Sequence, residues 1–254
     1  MLLHGYSLIA GAAIARATPA GALTAGAFFE HGEGDYDSHN SFANAASVRG
    51  NGDTEYTGGG VLAHFAFNES NSGKLYVDGS ARIGRVETDF GSDLIDAFGR
   101  SAAFNAKSRY LSSHLGAGYL LPVTASQKLD LYGQYLWSHQ DGDTVKLTTG
   151  EAVKFKDANS RRLRLGAKWR LALEQNASLY LGAAWEHEYD GKAKASIQGY
   201  ALDTPKLKGD TASFAFGFAI SPTATRPVSF DFGIQGYTGQ REGVTGNVRA
   251  GYRF

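Results

Sequence analysis

The sequence predicts an all-β chain, an antiparallel up-and-down barrel that crosses a membrane, and three observations carry that prediction. Apolar and polar residues alternate with a strict period of two in run after run. The polar side of these runs is too highly charged to lie against a dry core. The links between runs alternate short and long, as in barrels with tight turns on one side of a membrane and longer loops on the other. No segment approaches the roughly 18 to 20 apolar residues of a spanning helix, whereas a spanning strand needs only about 9 to 11, half of them polar.

Composition agrees with strands. The 254 residues include 33 Gly, 13 Tyr and 15 Phe, a single Met and five Pro, the Pro confined to apparent turns. There is no Cys, so neither a disulfide nor a thiolate metal site is available. Basic and acidic residues balance at 25 each, and no net field points to nucleic acid. The whole of 1–254 reads as one barrel domain.

Residues 1–16 interrupt their apolar start with His4, Tyr6 and Ser7 and place Arg16 after the apolar run, so they are expected to form a strand and not a signal peptide. A short link at 17–21 leads to a second run over 22–30, and a long polar connection over 31–53 to a third over 55–67. A short link at 68–73, a run over 75–86, a long connection over 87–106 and a run over 107–121 follow. After a short link at 122–127, Leu129, Leu131, Gly133, Tyr135 and Trp137 alternate with Asp130, Tyr132, Gln134, Leu136 and Ser138. The clearest alternation sets Leu163, Leu165, Ala167, Trp169 and Leu171 against Arg162, Arg164, Lys168 and Arg170. Four cations on one face suit a wet lumen, paired with carboxylates such as Asp78, Asp130, Glu186 or Asp231. Runs from Leu179, Phe214 and Val228 continue the order, separated by a long connection over 186–210 and a short one over 221–227. Residues 237–244 then connect to the last strand, 246–254. There Val248, Ala250, Tyr252 and Phe254 share the apolar side and Arg249 the polar side. Trp137, Trp169 and Trp185 fall near strand ends, where interfacial aromatic girdles sit.

An ordered set of segments covers nearly the whole chain: GAFFEHGEGDYDSHNSF, GDTEYTGGG, LDLYGQYLWSHQDGD, VKFKDANSRRLRLGAKW, GAAWEHEYDGKAKA and IQGYTGQREGVTGNVRAGYRF. Together they resemble the translocator barrel of autotransporters, the type V secretion proteins. That resemblance implies a barrel of about twelve strands in the outer membrane of a Gram-negative bacterium. The resemblance further implies that the barrel, a monomer, anchors the protein in outer-membrane lipid and takes part in moving its own passenger and linker segment through the lumen to the surface. It also implies that the strand ending in Tyr252 and Phe254 is the signal read by the barrel-assembly machinery. About eleven spanning strands are countable where an even number is usual, so the first strand of the family is expected to be missing and the domain truncated. Lumen-lining residues are expected to be Arg162, Arg164, Lys168, Arg170, Asp130, Asp231 and Arg249. The alternative is a stand-alone barrel acting as a porin, or as an adhesin through its long loops.

Chemistry is the weaker reading. Glu186-His187-Glu188-Tyr189-Asp190, with His139 and Asp141, invites acid–base hydrolysis at a barrel rim. On a strand, however, His187 cannot share a face with both neighbouring carboxylates. No nucleophile elbow or P-loop is present, and Gly58-Gly59-Gly60 suits close strand packing. No catalytic, metal or cofactor-binding residue is assigned.

Overall fold

Eleven strands pair in one continuous antiparallel sheet. A computed structural model describes residues 2–42, 45–70, 72–173, 176–202, 206–223 and 225–253. The strands are β1 (Leu2–Thr18), β2 (Gly21–Phe42), β3 (Ala45–Phe67), β4 (Lys74–Ile95), β5 (Ser101–Pro122), β6 (Gln127–Gln140), β7 (Thr144–Lys146), β8 (Ala152–Phe155), β9 (Ala158–Ala172), β10 (Ala177–Glu188), β11 (Ala195–Ile197), β12 (Tyr200–Leu202), β13 (Gly209–Ile220), β14 (Val228–Gly239) and β15 (Gly243–Tyr252). The wall runs β1-β2-β3-β4-β5-β6-β9-β10-β13-β14-β15 and curls into a half-barrel. β7, β8, β11 and β12 make a separate small sheet in the order β12-β11-β8-β7. Residues 2–16 are strand, as their pattern predicts.

Two long connections expected from the sequence, 31–53 and 87–106, are instead the outer halves of β2 to β5. The ladder extends into both, with Glu33 opposite Glu55 and Asp35 opposite Asp53, and its register shifts only near the tips, between Asn40 and Phe42 and between Gly91 and Ile95. Polar residues occupy both faces, which removes the alternation that marks a strand in sequence without removing the backbone ladder. Rings stiffen the extension: Tyr36 stacks on Phe90, and its hydroxyl donates to the Asp89 carbonyl. The connection expected over 237–244 contracts to a turn between Gly239 and Gly243, both with positive φ. Between β6 and β9, β7 and β8 pair with each other in the small sheet and add no strand to the wall.

The sheet is inside out compared with a soluble sandwich. Ile14, Leu115 and Phe214, which face the convex side, remain 77%, 69% and 63% exposed. The molecule presents 16344 Å² of accessible surface, against about 10,800 Å² for a compact soluble protein of 27.1 kDa. Among the described residues one small apolar cluster is buried, around Val145, Val153 and Ala195. It seats the small sheet against Phe104 and Ala106, which belong to the concave side of β5. The small sheet therefore lies over one mouth of the curl.

Tyrosines on the concave side cover glycines of neighbouring strands. Tyr132 lies over Gly166, its cross-strand partner, where an added Cβ would come within 2.4 Å of the ring. Replacing Gly166 with Ala should cost about 1–3 kcal/mol through overpacking. In a Tyr132→Ala background the same change should cost clearly less, read as a double-mutant cycle of urea unfolding by tryptophan fluorescence. Equal costs in both backgrounds would show that the ring does not set the requirement for glycine.

The turn between β4 and β5 is closed by Asp96. The Arg100 and Phe98 amides donate to Oδ1 at 2.9 and 2.8 Å, and Arg100 Nε donates to Oδ2 at 2.7 Å. These bonds, the Arg100 amide first, hold its carboxyl below the ordinary value of 3.8. A lowered folded pKa stabilises above the unfolded value and is lost as pH falls through the folded one. Amide exchange at Phe98 and Arg100 should therefore accelerate on acidification below that range, with the wall's amides unchanged. An exchange profile at those two amides that ignores pH after correction for intrinsic rates would sink this assignment.

Candidate functional site

On the concave face of the wall, buried charged groups converge. At its centre Glu30, Gly58, Gly84 and Tyr110 stand in register across β2, β3, β4 and β5. The two glycines leave room for the Tyr110 ring to cross both strands, and its hydroxyl donates to Glu30 Oε1 at 2.6 Å. Arg82 Nη1 donates to Glu30 Oε2 at 3.0 Å. Glu30 is 1% exposed, so its charge is compensated only by this pair. Gly58 thus serves close packing. Glu30 sits in an otherwise apolar stretch, GAFFE, which is the signal that marks it in the sequence.

Toward the small sheet, Glu186 on β10 gathers three arginines. Arg164 donates from Nε and Nη2 to Oε2 at 2.9 and 2.7 Å, Arg162 Nη1 lies 3.5 Å from Oε1, and Arg241 donates to Oε1 from the β14–β15 turn. Glu188 accepts from Ser160 at 2.5 Å and from the Arg161 and Asp190 amides at 2.9 Å. Arg241 is invisible to strand periodicity because it reaches in from a turn.

The opposite end of the face is a cavity of about 950 Å³ lined by Lys74, Lys128, Lys168, Arg170 and Arg249 with Asp78 and Asp130. The sequence suggests that these carboxylates pair with the cations of β9, and the structure corrects that. Asp78 lies 2.6 Å from His114 Nε2, and Asp130 accepts from the Tyr76 hydroxyl at 2.9 Å. Asp231 accepts from Asn247 at 3.3 Å. Lys168 rests over the Tyr180 ring at 4.9 Å. Among the described residues, Lys168, Arg170 and Arg249 make no ion pair; of the β9 cations, Arg162 and Arg164 pair with glutamates of β10.

The histidine-and-acid motif divides between the two faces. Glu186 and Glu188 are buried on the concave side, whereas His187 lies on the convex side, 2.8 Å from Asp210 and between Trp185 and Tyr189. His139 stacks on Trp137 elsewhere, 3.3 Å from Asp141. Among the described residues no group of three or more His, Asp or Glu side chains could hold a metal ion. Trp137 and Trp185 lie toward the small-sheet end of the convex face, and Trp169 toward the short-turn end, donating to Gln127 at 3.2 Å. Val248, Ala250 and Tyr252 lie on the convex side of β15, exposed; Phe254 lies outside the described residues.

A curled antiparallel wall, apolar outside and charged inside, defines a membrane β-barrel protein. A family model, the autotransporter β-domain, matches residues 3–235, and the chain belongs to that family. Among solved structures it is similar to the β-domain of the Bordetella autotransporter BrkA. That match has 15% identity and a TM-score of 0.72, and covers 99% of this chain and 91% of the other. It is also similar to the translocator domain of the autotransporter NalP from Neisseria meningitidis, with 17% identity, a TM-score of 0.70 and coverage of 99% and 82%. No curated protein sequence matches.

Removing the charge of Glu186 while keeping its shape would leave three arginines facing one another. Glu186→Gln is expected to destabilise by about 3–5 kcal/mol, and Arg241→Gln by less, because two cations remain on the carboxylate. Urea midpoints of the folded protein in detergent check both, and equal small shifts would show that the cluster is solvated.

Proposed function

We propose that this chain is the outer-membrane anchor of an autotransporter in a Gram-negative bacterium, and that its concave face lines the passage taken by the protein's own passenger and linker segment. The inverted wall carries this reading: apolar side chains are solvated by lipid, and charged ones by the lumen. Arg162, Arg164, Lys168, Arg170, Asp130, Asp231 and Arg249 line the lumen. The unpaired cations at the short-turn end suit a segment bearing acidic side chains. Short turns face the periplasm, and the small sheet narrows the outer mouth, which supports a passage for one segment over an open porin. Val248, Ala250, Tyr252 and Phe254 form the signal for the barrel-assembly machinery. Trp137, Trp169 and Trp185 mark the two membrane interfaces. The domain is a monomer with no catalytic role.

The test expresses the chain with an export signal and a reporter segment ahead of Leu2 in a Gram-negative host. Heat-modifiable protein should enter the outer-membrane fraction, and added protease should remove the reporter from intact cells. A reporter that stays periplasmic beside a folded barrel would leave the anchor and remove translocation. Phe254→Ser should lower the folded yield several-fold, and an unchanged yield would remove the carboxy-terminal signal.

A further inference from the structure

On the convex face, Arg85 of β4 stands directly opposite Arg109 of β5. Directly opposed side chains in such a pair hold their Cβ atoms about 4.5–5.5 Å apart, and like charges there repel. Both arginines are exposed, and neither makes an ion pair or side-chain hydrogen bond among the described residues. The neighbouring carboxylates on that face have other partners: Glu87 is with Lys107 at 2.8 Å, Glu55 with His31 at 3.7 Å, and Asp141, whose amide donates to the Arg109 carbonyl at 2.9 Å, has its carboxylate 3.3 Å from His139. One step toward the short-turn end along the same face, Ile83 stands opposite Leu111, 62% and 43% exposed, at the upper margin of the apolar band. Two guanidiniums side by side, unpaired and immediately above apolar surface, form a fork for an anion whose remainder is hydrocarbon.

We propose that Arg85 and Arg109 bind the phosphate of a phosphorylated lipid of the outer leaflet, its acyl chains lying along Ile83 and Leu111. The occupant follows from position. The fork faces away from the lumen, so a luminal peptide cannot reach it, and it stands where the headgroup of a lipid covering the apolar band would lie. Phosphate oxygens between the guanidiniums convert the cross-strand repulsion into two charge-assisted pairs. This inference rests on the membrane reading above.

The test uses the whole chain folded in detergent, with lipid retention followed by native mass spectrometry. The probes are bisphosphorylated lipid A, the same lipid stripped of phosphate, and inorganic phosphate as competitor. Wild type should retain one bisphosphorylated lipid, and R85Q/R109Q should hold it about tenfold less tightly, the scale of losing charge-assisted contacts. The single variants R85Q and R109Q should fall between. The stripped lipid should bind both proteins weakly and equally, and inorganic phosphate should not displace the intact lipid. Equal retention by wild type and the double variant, both folded, would overturn the site. Displacement by inorganic phosphate would overturn the lipid as occupant. Insertion into phosphatidylcholine vesicles is scored separately. A wild-type protein that does not insert overturns the membrane reading and this inference with it, whereas insertion with equal retention overturns the fork alone.

Discussion

The wall has no dry interior of its own, and everything else in the structure follows from that constraint. Side chains with a two-residue period must face two different solvents. On the concave side the polar set is wet or paired, as Glu30 is by Arg82 and Tyr110. On the convex side residues such as Phe214 and Leu115 stay exposed. In water those apolar residues would form a single large patch, far beyond what a soluble monomer presents. In lipid the same residues cost nothing, and between the two edge strands the backbone satisfies its own hydrogen bonds along the sheet.

Within that frame, pairs of large and small residues set the curvature. Tyr110 can reach Glu30 across two intervening strands because Gly58 and Gly84 carry no side chain beneath the ring. Tyr132 over Gly166 and Tyr180 over Gly217 repeat the device. A tyrosine laid over glycine fills concave space that a tightly curled sheet would otherwise crowd, and it brings a polar tip to the lumen. Part of the high content of glycine and tyrosine is therefore one feature, the tyrosine-over-glycine pairs of the concave face.

This explains what was legible in the sequence. The strand order, the inward face of β9 and the outward tryptophans follow from alternation alone, because a period of two survives wherever one face is apolar. The outer halves of β2 to β5 escape for the complementary reason. With both faces in water, sequences such as GEGDYD and GNGDTE lose contrast while their ladder persists. Ion-pair partners were the least legible. Arg241 joined the network from a turn that strand periodicity does not reach, and Asp78 and Asp130 took His114 and Tyr76 in place of the cations of β9. Which of several luminal charges meet depends on register and curvature together, and neither is encoded locally.

Parity decides how such a wall can close. In an antiparallel sheet of eleven strands the first and last run in the same direction, so β1 and β15 cannot complete the ladder with each other as antiparallel neighbours. Among the described residues both present an unpaired edge. An edge left in hydrocarbon loses several kcal/mol for each bare backbone group, which no luminal ion pair offsets. Only a strand antiparallel to both edges would remove that cost and make the count even, as is usual in single-chain bacterial barrels. The seam is then the place where the wall is least determined by its own side chains. β1 presents small residues such as Ala13, Ala15 and Ala17 to the concave side, and β15 presents Gly251 and Asn247. Neither edge carries a concave tyrosine like those that lock β4 to β10, so order at the two edges rests chiefly on the backbone ladder.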